Sequence, residues 1–257
     1  MQLTLSDRSF QYGDGVFTTI LVDSGKLVFW DLHWQRLQLA LQRLGMAELI
    51  EADVRRLAEQ QIQQAQQVVK LLISRGQGGR GYSPAGFAQP LVYASASPLP
   101  DYTQARQLGI TLGVAALQLA VQPLLAGLKH TSRLETVLLK AEVERSGFDE
   151  LVALDHLGYV TELSAANLFF QLEGRWCTPQ LQRAGVAGVM RQWLLQQFEI
   201  QQADYSLAQL RQASAMFATN ALMGIVPVRQ FLQQPLDLQP VRLLQQAVPF
   251  LAGKMAC

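Results

Sequence analysis

Cysteine is nearly missing from this chain. Cys177 and Cys257 are the only two, which excludes a disulfide framework and a thiolate metal cluster. Three histidines, His33, His130 and His156, stand too far apart for metal-ligand spacing. Charge of one sign is also lacking: charged residues make up 16% of the chain and sum to +1. No long-range field therefore draws nucleic acid or an anionic membrane surface, and neither is expected as a partner. No apolar run approaches the ~20 residues of a membrane span. The opening Met1-Gln2-Leu3-Thr4-Leu5-Ser6-Asp7-Arg8 is too polar for a signal peptide. What these absences leave is a cytoplasmic protein whose partner is a small molecule, bound by a few local charges.

What is present is 257 residues, 49% of them hydrophobic, enough for one large domain or two modest ones. The N-terminal part reads as an α/β layer. Val16–Val22 is a strand, Asp23-Ser24-Gly25-Lys26 a turn, and Leu27–Trp30 its partner strand. Asp31 caps a helix with the stripe Trp34, Leu37, Leu41 and Leu44, ended by Gly45. A glutamine-rich helix is expected from Glu51 to Gln66, then strands Val68–Ser74 and Leu91–Ala96 around a glycine-rich loop. Ser97-Pro98-Leu99-Pro100-Asp101 resembles a connection, so the expected domains are 1–104 and 105–257. The second part begins with a strand at Ile110–Leu117. A helix follows, with a capping box of Ser132 and Glu135 and an inward face of Leu134, Val137, Leu138 and Ala141. Two hairpins come next, then a glycine-led helix from Gly188, strands at Ala215–Thr219 and Ile225–Phe231, and a last helix at 241–251.

Lysine is scarce, with Lys26, Lys70, Lys129, Lys140 and Lys254 the full set. Lys70 lies inside a strand, where its stem can snorkel. Lys129 stands apart. It follows an apolar loop and directly precedes the capped helix, where the helix dipole would lower its pKa and favour an amine nucleophile. An ordinary surface lysine is the competing reading. Glu162 sits at a strand end on a partly apolar face and needs a cationic partner, of which a protonated pyridine nitrogen is one; a surface glutamate is the alternative. Gly185-Val186-Ala187-Gly188 opens a helix without a side-chain cap, a ready anion site. The Gly76–Gly81 loop carries Arg75 and Arg80 and lacks the lysine and hydroxyl of a nucleotide P-loop. It can present guanidinium groups to a carboxylate, or be a plain hairpin loop.

These motifs in this order resemble the fold-type-IV pyridoxal-phosphate family, which includes D-amino-acid and branched-chain aminotransferases and 4-amino-4-deoxychorismate lyase. The likeness rests on Tyr12-Gly13-Asp14-Gly15-Val16-Phe17-Thr18-Thr19, His33-Trp34-Gln35-Arg36-Leu37, Leu128-Lys129, Val160-Thr161-Glu162, Ser164 to Phe169, and Gly188-Val189-Met190-Arg191. It implies an α+β, two-domain, D-amino-acid-aminotransferase-like fold, with a small N-terminal α/β domain and a larger, β-barrel-like C-terminal domain with helices. It implies pyridoxal 5′-phosphate as cofactor. Lys129 would be the Schiff-base lysine and Glu162 the partner of the pyridine nitrogen, with Asn167 supporting its strand. Arg36, the N–H groups of Val189 and Met190, and the Asn220-Ala221 turn would hold the phosphate. Thr19 would take part in catalysis at the substrate pocket. Phe17, Arg80 and Tyr82 would contact substrate, the last two across a homodimer with composite sites.

Ser74 to Tyr82, Gly127-Leu128-Lys129-His130 with Arg133-Leu134-Glu135, and Asn220-Ala221-Leu222-Met223 resemble the lyase members in particular. The implied reaction converts 4-amino-4-deoxychorismate to p-aminobenzoate and pyruvate in folate biosynthesis. A D-amino-acid or branched-chain aminotransferase is the alternative on the same fold. A non-catalytic binding protein is the third reading, disfavoured by the pairing of Lys129 with Glu162.

Overall fold

The computed structural model describes residues 4–78, 81–86 and 89–248. The chain forms two compact units, one of residues 1–100 with 128–133, the other of 101–127 with 134–257. This differs from a single cut at 104/105, because a short segment holding Lys129 returns to the first unit.

In the first unit, α1 (Arg8–Tyr12) is capped by Asp7 and closed by Gly13 in the left-handed conformation, φ 68°. A Cβ there would also meet Ser132 Oγ at 2.1 Å, so the position admits only glycine. β1 (Gly15–Asp23), β2 (Lys26–Leu27), α2 (Trp30–Arg43), α3 (Glu51–Glu59), β3 (Gln67–Ser74) and β4 (Leu91–Ser97) follow. They build an antiparallel sheet ordered β2-β1-β3-β4. Strand alternation gives it two faces. Val16, Ile20 and Val22 of β1 and Val69, Leu71 and Ile73 of β3 form a core with Trp34, Leu37 and Leu41 of α2 and Val54 and Ala58 of α3. Each such side chain contributes about 1.5–3 kcal/mol on burial. The opposite face carries Phe17 and Thr19 of β1 and, across the register, Leu72 and Lys70 of β3.

Two local expectations fail here. The strand at Leu27–Trp30 is cut to Lys26–Leu27, because Phe29 turns left-handed (φ 55°) and the helix begins at Trp30, leaving Asp31 in its first turn. The glutamine-rich helix stops at Glu59. Gln67 Oε1 accepts from the N–H groups of Gln63 and Gln64, and its Nε2 donates to Gln61 O. This side chain satisfies backbone groups that a continuing helix would have used.

The second unit contains α4 (Thr103–Leu108), β5 (Ile110–Leu119), α5 (Leu134–Ser146), β6 (Glu150–Asp155), β7 (Val160–Glu162), β8 (Asn167–Leu172) and β9 (Arg175–Pro179). α6 (Val189–Gln197), β10 (Gln201–Ala203), α7 (Leu207–Leu210), β11 (Ala215–Asn220), β12 (Gly224–Phe231), β13 (Gln234–Pro235) and α8 (Gln239–Ala247) complete it. One sheet runs β10-β9-β8-β11-β12-β5-β6-β7. Val160 N–H donates to Tyr205 O at 2.8 Å, and Tyr159 bridges Ser206. The segment after β10 thereby meets β7, and the sheet curls on itself around Phe170, Met216, Val226 and Phe231. The barrel-like expectation for this part holds.

α5 contradicts its expected face. Leu134, Val137 and Leu138 are 78%, 60% and 60% exposed, while Leu139 and Val143 are buried. Apolar residues occur all round this helix, so periodicity selects no stripe, and contact with β5 and β6 decides. The capping box does not form either: the helix begins at Leu134, and Glu135 Oε1 accepts from Ala120 N–H at 2.9 Å.

Candidate active site

Lys129 is placed by strand register. Phe17 N–H donates to Lys129 O and Thr131 N–H to Gly15 O, each at 2.9 Å, with Val16 bridging His130 between them. The segment 129–131 thus extends along the edge of β1. Alternation then sends Leu128, 1% exposed, into the core and turns Lys129 to the side of Phe17. Its Nζ lies 4.6 Å from the Phe17 ring centre, and the residue is half-buried. The expected position at a helix N-terminus is wrong, since the helix starts only at Leu134. An extended, hydrogen-bonded backbone holds this amine instead. Thr19, two residues along β1, shares the face and is half-buried. Beside Lys129, His130 Nε2 accepts from Arg133 Nη2 at 2.6 Å. Burial, and then the Arg133 charge, push the imidazole down to about 4, so it is neutral near pH 7.

Arg36 lies on the other, α2-packed side of this sheet. Its Nη2 donates to Thr18 Oγ1, which in turn stands 2.6 Å from His33 Nδ1. His33 Nε2, on the far side of the ring, is buried without a partner. His33 is neutral, its pKa held well below the usual value by burial first and the Arg36 charge second. Part of Arg36 reaches solvent, yet its Nε is sealed from water and unpartnered. Burial pushes the guanidinium down to about 10. Among the described residues no carboxylate pairs with it. A shielded cation without a counter-ion is costly, and a phosphate oxygen fits it. Sequence reasoning missed Thr18 and His33. The signal lay in the motif itself, because position 18 alternates onto the helix side while Thr19 faces away.

In the second unit, three side-chain-to-backbone bonds and two backbone pairs shape the loop before α6. Glu162 Oε2 accepts from Val186 N–H at 2.9 Å. Asn167 donates to Val186 O at 2.8 Å and accepts from Gly188 N–H at 3.1 Å. Gly127 anchors the other side, donating to Gly185 O and accepting from Ala187 N–H. α6 begins after Gly188 with no side-chain cap, so its first-turn N–H groups, those of Val189 and Met190 included, point from the helix start with no intrahelical acceptor. Asn220 Oδ1 accepts from the N–H groups of Leu222 and Met223, and its Nδ2 donates to Ala165 O. Ala221 lies in the turn so held. Next to it, Thr219 Oγ1 is buried without a partner. Together, an uncapped helix start and an orphaned hydroxyl suit an anionic group.

Gly188 supplies a test of this loop. A Cβ there would stand 2.2 Å from Asn167 Oδ1. Gly188→Ala is expected to break the Asn167 bond and cost about 1–3 kcal/mol, read as a lower melting temperature and a weaker cofactor titration. Unchanged values for both would show that the Asn167 contact is dispensable.

Arg80 lies outside the described residues. Tyr82 is described and 83% exposed. Its loop is fastened by Arg8, which donates to Gly81 O and Tyr82 O at 3.1 Å each, and by the Tyr12 ring, 5.2 Å from that of Tyr82. Asp14 Oδ2 receives both Arg8 Nε and Arg75 Nε at 2.8 Å. Burial raises the pKa of that carboxyl, but the two guanidinium groups outweigh it and lower the net value. Among the described residues no group of His, Cys, Asp and Glu could hold a metal ion, and no helix is long and apolar enough to cross a membrane.

Comparison with known proteins places this arrangement. The aminodeoxychorismate lyase of Vibrio harveyi is 39% identical over 234 residues, 87% of this chain and 85% of its own. The crystal structure of 4-amino-4-deoxychorismate lyase from Pseudomonas aeruginosa matches with a TM-score of 0.89 at 37% identity, covering 96% of this chain and 94% of that one. A hypothetical aminotransferase from Mycobacterium tuberculosis in its PLP-bound form has a TM-score of 0.82 at 21% identity, over 95% and 90% of the two chains, and shares the fold. The family model for amino-transferase class IV matches residues 15–231, and with both of its units spanned by that match, this chain is a member of the class IV amino-transferase family.

Proposed function

We propose that this chain is a pyridoxal-phosphate-dependent lyase that converts 4-amino-4-deoxychorismate to p-aminobenzoate and pyruvate. The observation that carries the reading is the 39% identity to an aminodeoxychorismate lyase across most of both chains. The shielded, counter-ion-free Arg36 and the uncapped start of α6 support a phosphate-bearing cofactor. When bound, that cofactor supplies an electron sink for charge developing at the carbon that bears the substrate amine.

The chain's own residues then have distinct tasks. Lys129 would hold the cofactor covalently and would take the proton from substrate C4. Glu162, anchored through Oε2 by Val186 N–H, would partner the cofactor's ring nitrogen and favour its protonated form. Arg36, the N–H groups of Val189 and Met190, and the Asn220-Ala221 turn bind the phosphate. Asn167 keeps the loop in register with Glu162. Phe17 and Thr19 line the face toward substrate, and Arg80 and Tyr82 reach it from the partner in a homodimer. Loss of the C4 proton is matched by breaking the C3–O bond. The ring becomes aromatic, and the departing enolpyruvate takes up a proton to give pyruvate. Aromatisation supplies the driving force, so no amino acceptor is consumed.

Incubation with 4-amino-4-deoxychorismate and cofactor, without any keto acid, is expected to yield p-aminobenzoate and pyruvate in equal amounts. Absence of both, with amino transfer from a D- or branched-chain amino acid to 2-oxoglutarate, would replace the lyase reading by a transaminase.

A further inference from the structure

The turn at Gly81 and Tyr82 is held by a side chain from the far end of the sequence. Arg8 is only 3% exposed. Its Nε donates to Asp14 Oδ2 at 2.8 Å, its Nη1 to Gly81 O and its Nη2 to Tyr82 O at 3.1 Å each. A planar fork set on two consecutive carbonyls fixes both the position and the orientation of that backbone. Tyr12, one turn along α1, adds its hydroxyl, which accepts from Gly81 N–H at 3.3 Å. The same N-terminal segment grips the loop's other end. Arg8 N–H donates to Gly76 O, Gly78 N–H donates to Ser6 O, and Asp7 bridges Gln77. Yet every residue from 81 to 86 is exposed, so this segment adds nothing to the core that would call for such fastening.

We propose that Arg8 is a positioning residue that fixes the backbone of Gly81 and Tyr82 and thereby aims the loop's arginine at the anionic substrate. The proposal rests on the lyase reading, which gives Arg80 and Tyr82 to the substrate, and adds what sets their geometry. Arg80 itself is outside the described residues, but in sequence it stands between the two held points, Gly78 and Gly81. A glycine-rich loop left free would have to be ordered by the substrate, at a cost in affinity that a loop fixed beforehand avoids. Asp14 is the poorer place to test this. It also takes Arg75 Nε, and it lies between Gly13 and Gly15, whose carbonyls accept from Thr131 Oγ1 beside the Lys129 segment.

Arg8→Lys keeps a cation for Asp14 and removes the fork. Its KM for 4-amino-4-deoxychorismate is expected to rise about tenfold, with kcat and the absorbance of covalently bound cofactor unchanged. Arg80→Met should raise KM about 10- to 100-fold. Arg8→Lys combined with Arg80→Met should be no worse than Arg80→Met alone, because the one acts through the other. Chymotryptic cleavage of the native protein after Tyr82 should become about tenfold faster in Arg8→Lys. If Arg8→Lys does not fold, Tyr12→Phe removes only the hydroxyl that holds Gly81 N–H. It is expected to raise KM about threefold, and again not in the presence of Arg80→Met. Equal KM factors with and without Arg80→Met overturn the proposal, as do wild-type KM and wild-type cleavage in Arg8→Lys. A wild-type protein that makes no p-aminobenzoate, with cleavage still faster in Arg8→Lys, would fault the lyase reading while supporting the Arg8 clamp.

Discussion

Lys129→Ala is expected to abolish turnover and the absorbance of covalently held cofactor together. In the proposed reaction the variant loses the nucleophile and the base at once, and base catalysis alone accounts for roughly 10²–10⁴-fold. Stability should change little, because the bond that orders this segment, Phe17 N–H to Lys129 O, belongs to the backbone. Loss of the contact with the Phe17 ring costs about 0.5–1 kcal/mol. Borohydride reduction of the wild type followed by peptide mapping should find the cofactor on residue 129. Recovery of the label on Lys70, the other amine over the same ring, would exchange the roles of the two lysines.

Glu162→Gln is expected to keep cofactor while slowing proton removal. A glutamine carbonyl can still accept from Val186 N–H, so the loop that leads into α6 keeps its anchor. The neutral amide cannot hold a positive charge on the ring nitrogen. A hydrogen bond to a charged group is worth about 1.5–3 kcal/mol, and each 1.36 kcal/mol is tenfold in rate, so kcat should fall roughly 10- to 100-fold. A deuterium isotope effect at C4 of the substrate should grow as that step becomes limiting. Glu162→Ala should do more, loosening the loop as well and weakening cofactor affinity. Wild-type turnover in Glu162→Gln would mean that another group partners the ring.

The two residues differ in how far local pattern foresaw their surroundings. Glu162 is singled out in the sequence because a carboxylate on a partly apolar strand end needs a partner, and the structure gives its Oε2 the N–H of Val186. Lys129 is singled out by its surroundings in the motif, but the helix dipole expected to lower its pKa does not act there, because the helix starts only at Leu134. Four residues separate it from Leu134, and its backbone pairs with β1. The helix start was misread because Ser132 and Glu135 have capping-box spacing, while Ala120, distant in sequence, takes the glutamate. The extent of α3 failed in a similar way, since Gln67 captures backbone N–H groups that the apolar period alone would keep helical.

Composition and motif order by themselves determined the α+β class and the family to which the chain belongs. These follow from residue identity and from periodicities within single elements. Tertiary structure alone decided which side chains share a face. It turned Thr18 to Arg36 and Thr19 away from it, set Lys70 and Lys129 over one phenyl ring, and exposed the leucines of α5. The physical reason is that a strand's register is settled by its neighbours, and a shift of one residue would exchange every inward side chain for an outward one.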